Sequence, residues 1–270
     1  MTSPTEPRTP RLYHAASDSA FTALGGFLLL LAAMATLLVA STTAGLLGAT
    51  PLVALAAGEL ALLIVPIAAA VQTGRGFGAL GLRRTSPVYM ASAVLIGVSS
   101  WYLNLRLIGL VEMPEHHIDW LERLARDDAQ VAPMLLVLAV LPALCEEFVF
   151  RGVLVQALAT RLVPVAAVAL SAALFAAYHL SLAQLIPTFT LGIVFATVTL
   201  RARSIVPTIV AHLLNNAFAL HADRWEWLGA HPTPVLAVAA VAFLAGIALA
   251  FVPASPASLP SARARYKGDP

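Results

Sequence analysis

Residues 131 to 151 read Val131-Ala132-Pro133-Met134-Leu135-Leu136-Val137-Leu138-Ala139-Val140-Leu141-Pro142-Ala143-Leu144-Cys145-Glu146-Glu147-Phe148-Val149-Phe150-Arg151. The segment is long and apolar enough to cross a bilayer as a helix, yet it carries two adjacent glutamates and an arginine. An ionisable side chain at mid-bilayer costs roughly 2.5 to 3.5 kcal/mol. Such a triplet persists only if it is paired, protonated or hydrated, and function is the reason to keep it.

A soluble protein with a salt-bridged core helix is excluded by composition. Hydrophobic residues make up 60% of the 270-residue chain and charged residues 11%, with a mean hydropathy of +0.86. Ordinary globular domains run at about 45 to 50% apolar and about 25% charged. The chain has room for about eight spans of some 20 residues, each crossing about 30 Å of hydrocarbon. A pI near 9.0 does not indicate nucleic acid, because net charge is only +2 and the basic residues are scattered through short loops. The single cysteine, Cys145, rules out an internal disulfide framework.

Working outward, the expected fold is all-α and polytopic, with spans at 21–47, 51–71, 88–111, 131–160, 163–180, 183–200, 205–220 and 234–251. Residues 1–20 form a polar N-terminal tail, and 21–130 hold the first three spans. That second block includes a segment, 112–130, in which Ile118, Leu121, Leu124 and Ala125 recur at helical spacing, as in an interfacial amphipathic helix. Residues 131–221 form the core that carries the chemistry, and 222–270 hold the last span and a polar tail. Loop charge supports this count. One side collects Arg8, Arg11, Arg75, Arg83, Arg84, Arg161, Arg201, Arg203, Arg263, Arg265 and Lys267, whereas the other holds Arg123, Arg126 and Arg224. The positive-inside rule then puts both termini in the cytoplasm, and the Arg-, Ala-, Gly- and Pro-rich composition suggests a bacterial cytoplasmic membrane.

Glu147 and Arg151 are four apart on one helix face, in the favourable order for pairing. Glu146, rotated by about 100°, cannot share that geometry equally. One carboxylate is therefore structural and the other is free for chemistry. Phe175 and His179 are four apart on the fifth span, as are His212 and Asn216 on the seventh. Taken alone, His179 reads as a hydrogen-bonded bystander and Asn216 as a packing contact. Jointly, a carboxylate, two imidazoles and a carboxamide on three spans suit proton transfer and oxyanion stabilisation. A polar catalytic cavity between the fourth, fifth and seventh helices is the expectation.

The ordered set Glu146-Glu147-x-x-x-Arg151, Phe175-x-x-x-His179 and His212-x-x-x-Asn216 resembles the CPBP intramembrane proteases, the CAAX-protease and bacteriocin-processing family, over roughly Val131 to His221. The resemblance implies an endopeptidase acting on a membrane-associated protein or peptide. Glu146 would activate water, His179 would assist, His212 and Asn216 would hold the oxyanion, and Glu147, Arg151 and Phe175 would support the site. No cofactor is expected, although Glu146, His179 and His212 would make a His₂Glu set compatible with catalytic zinc. The H-E-x-x-H, G-x-G-D and G-x-S-G patterns of other protease classes are missing. Apolar surroundings and adjacent carboxylates make Cys145 a poor thiolate nucleophile.

The remaining polar groups in the spans, Glu59 and Arg106, read as structural, pairing or snorkelling. Trp101, Tyr102, Trp120, Trp225 and Trp227 suit an interfacial aromatic belt. A non-catalytic scaffold or immunity-type binding protein is the competing function, and it has no need of all four polar groups. A transporter is disfavoured by the lack of repeats and of paired broken helices. The short loops and span directions point to a site open toward the outer half of the membrane, with lipid as the surrounding medium.

Overall fold

A computed structural model describes residues 19–109, 130–222 and 225–253. Within them the chain is helical, without strands, and eight principal helices follow the eight apolar segments: α1 (Ala23–Leu46), α2 (Pro51–Gln72), α3 (Pro87–Ile108), α4 (Val131–Leu158), α5 (Pro164–Tyr178), α6 (Leu182–Ala202), α7 (Val206–Leu220) and α8 (Pro232–Ala250). Six are long and apolar enough to cross a membrane, and α5 and α7 are shorter, at 15 residues each. At 1.5 Å per residue, the two short helices reach about 22 Å. That falls short of the roughly 30 Å of hydrocarbon in a bilayer. The protein is a polytopic membrane protein, and all but the last residue of the amphipathic segment expected at 112–130 lies outside the described residues.

Local chemistry sets the helix starts. Thr22, Thr50 and Ser181 cap α1, α2 and α6 by accepting the backbone N–H of Gly25, Val53 and Gln184. Proline occupies one of the first two positions of each of α2, α3, α5, α7 and α8, where its missing N–H costs nothing and its φ is already helical. In the bundle, α1 packs on α2, α5 on α6, and α3 between α7 and α8. Small residues allow these approaches. A Cβ on Gly97 of α3 would stand 2.7 Å from the Ala211 carbonyl oxygen of α7, and one on Gly192 of α6 would stand 2.9 Å from Ala172 of α5.

The central element is α4. Its apolar side joins Leu30 and Ala33 of α1, Leu62 of α2 and Phe175 of α5 in one core around Val149, Phe150 and Leu154. It is not a regular α-helix: residues Leu136–Val140 and Glu147–Leu154 adopt the wider π geometry, a distortion that often accompanies function. Carbonyls loosened from the i→i+4 ladder are taken up by side chains, as membrane burial requires. Gln156 Nε2 donates to the carbonyls of Arg151 and Gly152, each at 2.9 Å. Leu138 would ordinarily bond the N–H of residue 142, but Pro142 has none. The Asn216 amide of α7 donates to that carbonyl instead, at 3.1 Å.

Candidate active site

Every residue of the acid-arginine triplet is buried, with Glu146 5% exposed, Glu147 0% and Arg151 1%. Arg151 Nη1 donates to Glu147 Oε1 at 2.9 Å. The guanidinium lies over the Phe175 ring, 4.2 Å from its centroid, and 5.3 Å from that of Phe195. Two aromatic faces thus substitute for water around a cation whose Nε and Nη2 have no hydrogen-bond partner,.

His212 joins the two glutamates. Its Nδ1 is 3.0 Å from Glu147 Oε1 and its Nε2 is 3.8 Å from Glu146 Oε2. A carboxylate held by arginine can only accept, so Nδ1 carries the hydrogen and Nε2 is directed at Glu146. Such a carboxylate fixes both tautomer and ring orientation, as in catalytic and metal-binding histidines generally. Glu146 Oε2 is buried and has no hydrogen-bond partner. The adjacent carboxylates are held differently: Glu147 takes both Arg151 and His212 on its Oε1, its Oε2 being unpartnered like that of Glu146, whereas Glu146 meets only His212 Nε2, across 3.8 Å.

His179 follows the last residue of α5. Its Nδ1 donates to the Phe175 carbonyl at 2.9 Å, which leaves Nε2 with its lone pair. The Phe175 ring is edge-on to both imidazoles, 4.9 Å from His179 and 6.2 Å from His212. Phe175 therefore contacts the arginine and both histidines. Asn216 lies a turn beyond His212. Ser100 donates to Asn215 Oδ1 at 2.8 Å, Asn215 Nδ2 donates to Asn216 Oδ1 at 3.0 Å, and Asn216 Nδ2 reaches Leu138. This chain fixes which end of the Asn216 amide faces α4, and one of its two N–H groups is committed to the Leu138 carbonyl.

Sequence reasoning missed three contributors. Ser100 and Asn215 orient Asn216, and the only signal for Asn215 was its place beside Asn216. Glu59 of α2 is not partnered with Arg106, which is exposed at the end of α3. It is buried, and its Oε1 accepts the Tyr178 hydroxyl at 3.3 Å. A carboxyl at membrane depth was itself the available signal. A cavity of about 690 Å³, lined by Trp101, Tyr102, Phe218, Trp225 and Leu228 among others, shares no residue with this cluster. Its aromatic walls match the expected belt.

Among the described residues no group of three or more His, Cys, Asp or Glu side chains is placed to hold a metal ion. Glu146, His179 and His212 do not close into a ligand set, and no step below passes through a metal. What the geometry defines is a membrane protein with a buried acid-imidazole centre where α2, α4, α5 and α7 meet. Residues 128–218 match the family described as type II CAAX prenyl endopeptidase Rce1-like. The resemblance to CPBP intramembrane proteases is thereby borne out over the segment that carries all three motifs. No curated protein and no solved structure matches the chain.

Proposed function

We propose that the protein is an intramembrane endopeptidase that hydrolyses a peptide bond in a membrane-associated protein or peptide, using Glu146 to activate water. The observation that carries this reading is the unengaged, buried Oε2 of Glu146 facing the Nε2 of a histidine whose tautomer Glu147 sets. Glu146 takes one proton from water as the oxygen attacks the scissile carbonyl carbon, and His179 Nε2 accepts the hydrogen bond of the other water O–H. When His212 also holds a proton on Nε2 it is a cation braced by Glu147, able to donate to the oxyanion together with the second N–H of Asn216. The tetrahedral intermediate collapses as the C–N bond breaks. Glu146 returns its proton to the departing amine, and neither a metal nor a covalent enzyme intermediate is needed. The charge asymmetry of the loops supports cytoplasmic termini and a site reached from the outer half of the membrane.

The test is peptide cleavage by the purified protein in nanodiscs, with a farnesylated CAAX peptide and unmodified apolar peptides offered separately. Wild type should cleave at least one of them, with or without a chelator, and Glu146→Gln should lose activity by at least about 100-fold, as for loss of a general base, while remaining folded. Equal activity in Glu146→Gln and wild type, or binding without cleavage by wild type, favours a scaffold and overturns the reading. Loss of wild-type activity to chelator, restored by zinc, would overturn the metal-free form.

A further inference from the structure

The cost of a carboxyl at membrane depth applies to Glu59 as much as to Glu146, and the hydrolytic steps above make no use of it. Leucine would fill a similar volume in α2 without that cost. What leucine cannot do is accept a hydrogen bond, and Glu59 Oε1 accepts one from Tyr178 at 3.3 Å.

Tyr178 is the last residue of α5 and immediately precedes His179. Beyond it the backbone is poorly fixed. The His179 and Leu180 N–H groups reach the carbonyls of Ala176 and Ala177 at 3.3 and 3.2 Å, the long end of the usual range. Leu180 adopts φ 49° and is 89% exposed, a left-handed conformation uncommon outside glycine and costly for a branched apolar residue. Side chains supply the restraint that this turn lacks. The Tyr178 ring packs against Phe150 at 5.5 Å and edge-on against His179 at 5.1 Å, and its hydroxyl is anchored across the bundle on α2.

We propose that Glu59 is a positioning residue of the site: by accepting the Tyr178 hydroxyl it fixes the ring against which His179 packs, and with it the place of His179 Nε2 relative to Glu146. The inference rests on the peptidase reading. It differs from a general structural role in requiring an acceptor at residue 59 rather than a charge or a volume, and glutamine supplies that acceptor.

Steady-state kinetics of Glu59→Gln, Glu59→Leu, Tyr178→Phe and the Glu59→Leu/Tyr178→Phe double variant, on the peptide that wild type cleaves, test it. Glu59→Gln should keep most of the wild-type kcat. Glu59→Leu and Tyr178→Phe should each lower kcat by about 10- to 100-fold at little-changed KM, the scale of a misplaced catalytic group. The double variant should be no worse than the poorer single, since both remove one interaction. Wild-type kcat in Glu59→Leu, equal impairment of Glu59→Gln and Glu59→Leu, or additive losses in the double variant would overturn the proposal. If Glu59→Leu is not recovered folded, Tyr178→Phe decides alone, and wild-type kcat there is fatal. Glu146→Gln in the same assay separates the two readings. Activity in that variant sinks the peptidase reading, whereas its inactivity beside a wild-type-like Glu59→Leu sinks only the role of Glu59.

Discussion

Helices α4 and α8 are both apolar enough to span a bilayer, yet over the most apolar stretch of each, 56% of α4 is buried in the protein against 17% of α8, and α1 matches α8 at 17%. Hydropathy does not separate them. Lipid tails are as apolar as leucine, so no hydrophobic force draws one such helix inward over another, and packing and polar contacts decide. The central helix carries Glu146, Glu147 and Arg151 and bonds to α7 through His212 and Asn216. The peripheral helices carry no charged side chain. A buried ionic group in this protein therefore marks which helix the others surround, and the proposed chemistry falls on that same helix.

The most severe test of that contrast is Arg151→Ala. It leaves Glu147 buried with His212 as its remaining ring partner, and removing one member of a buried ion pair costs about 3 to 5 kcal/mol. The folded yield in mild detergent and the melting temperature should both fall sharply. A variant that melts like wild type would show that the pair does not hold α4 in place.

The same contrast explains what could be read before the structure. Eight helices and the charged face of α4 were legible because apolar length, proline at helix starts and the four-residue spacing of Glu147 and Arg151 are local properties. The link between Glu59 and Tyr178 joins residues 119 apart in sequence, and no spacing rule reports such a contact. The two π-helical stretches of α4 were also hidden, since Pro142 reports a missing N–H but not how the backbone widens around it. Its consequence, a Leu138 carbonyl that Asn216 satisfies, lies 78 residues away. The shortness of α5 and α7 was legible, since the expected bounds 163–180 and 205–220 lie close to the observed Pro164–Tyr178 and Val206–Leu220.

Close packing without charge is the intermediate case. Gly97→Val places a branched side chain where even a Cβ would be 2.7 Å from the Ala211 carbonyl oxygen and from Leu214 Cβ. The first of these is backbone and cannot swing aside, so α3 and α7 must separate. Overpacking of this kind costs about 1 to 3 kcal/mol, less than the loss of Arg151. Because α7 carries His212, kcat should fall along with melting temperature. A variant that loses stability but keeps full kcat would mean that the α3–α7 contact does not register the site.

The smallest effect belongs to the periphery. Leu38 of α1 and Leu244 of α8 are 54% and 64% exposed, and in the membrane that exposure is to lipid. Shortening either to alanine trades contact with acyl chains for contact with slightly displaced acyl chains, and it opens no cavity inside the protein. Leu38→Ala and Leu244→Ala should each change stability by no more than about 0.5 kcal/mol, the range for substitutions away from special features, with unchanged kcat. Melting in nanodiscs rather than detergent is the appropriate measurement, since a micelle need not reproduce the lateral packing of a bilayer. A loss of about 2 kcal/mol or more at either position matches the cost of truncating a packed core leucine. It would mean that the helix is covered by something other than lipid there, and the division between a polar centre and a lipid-facing rim would have to be redrawn.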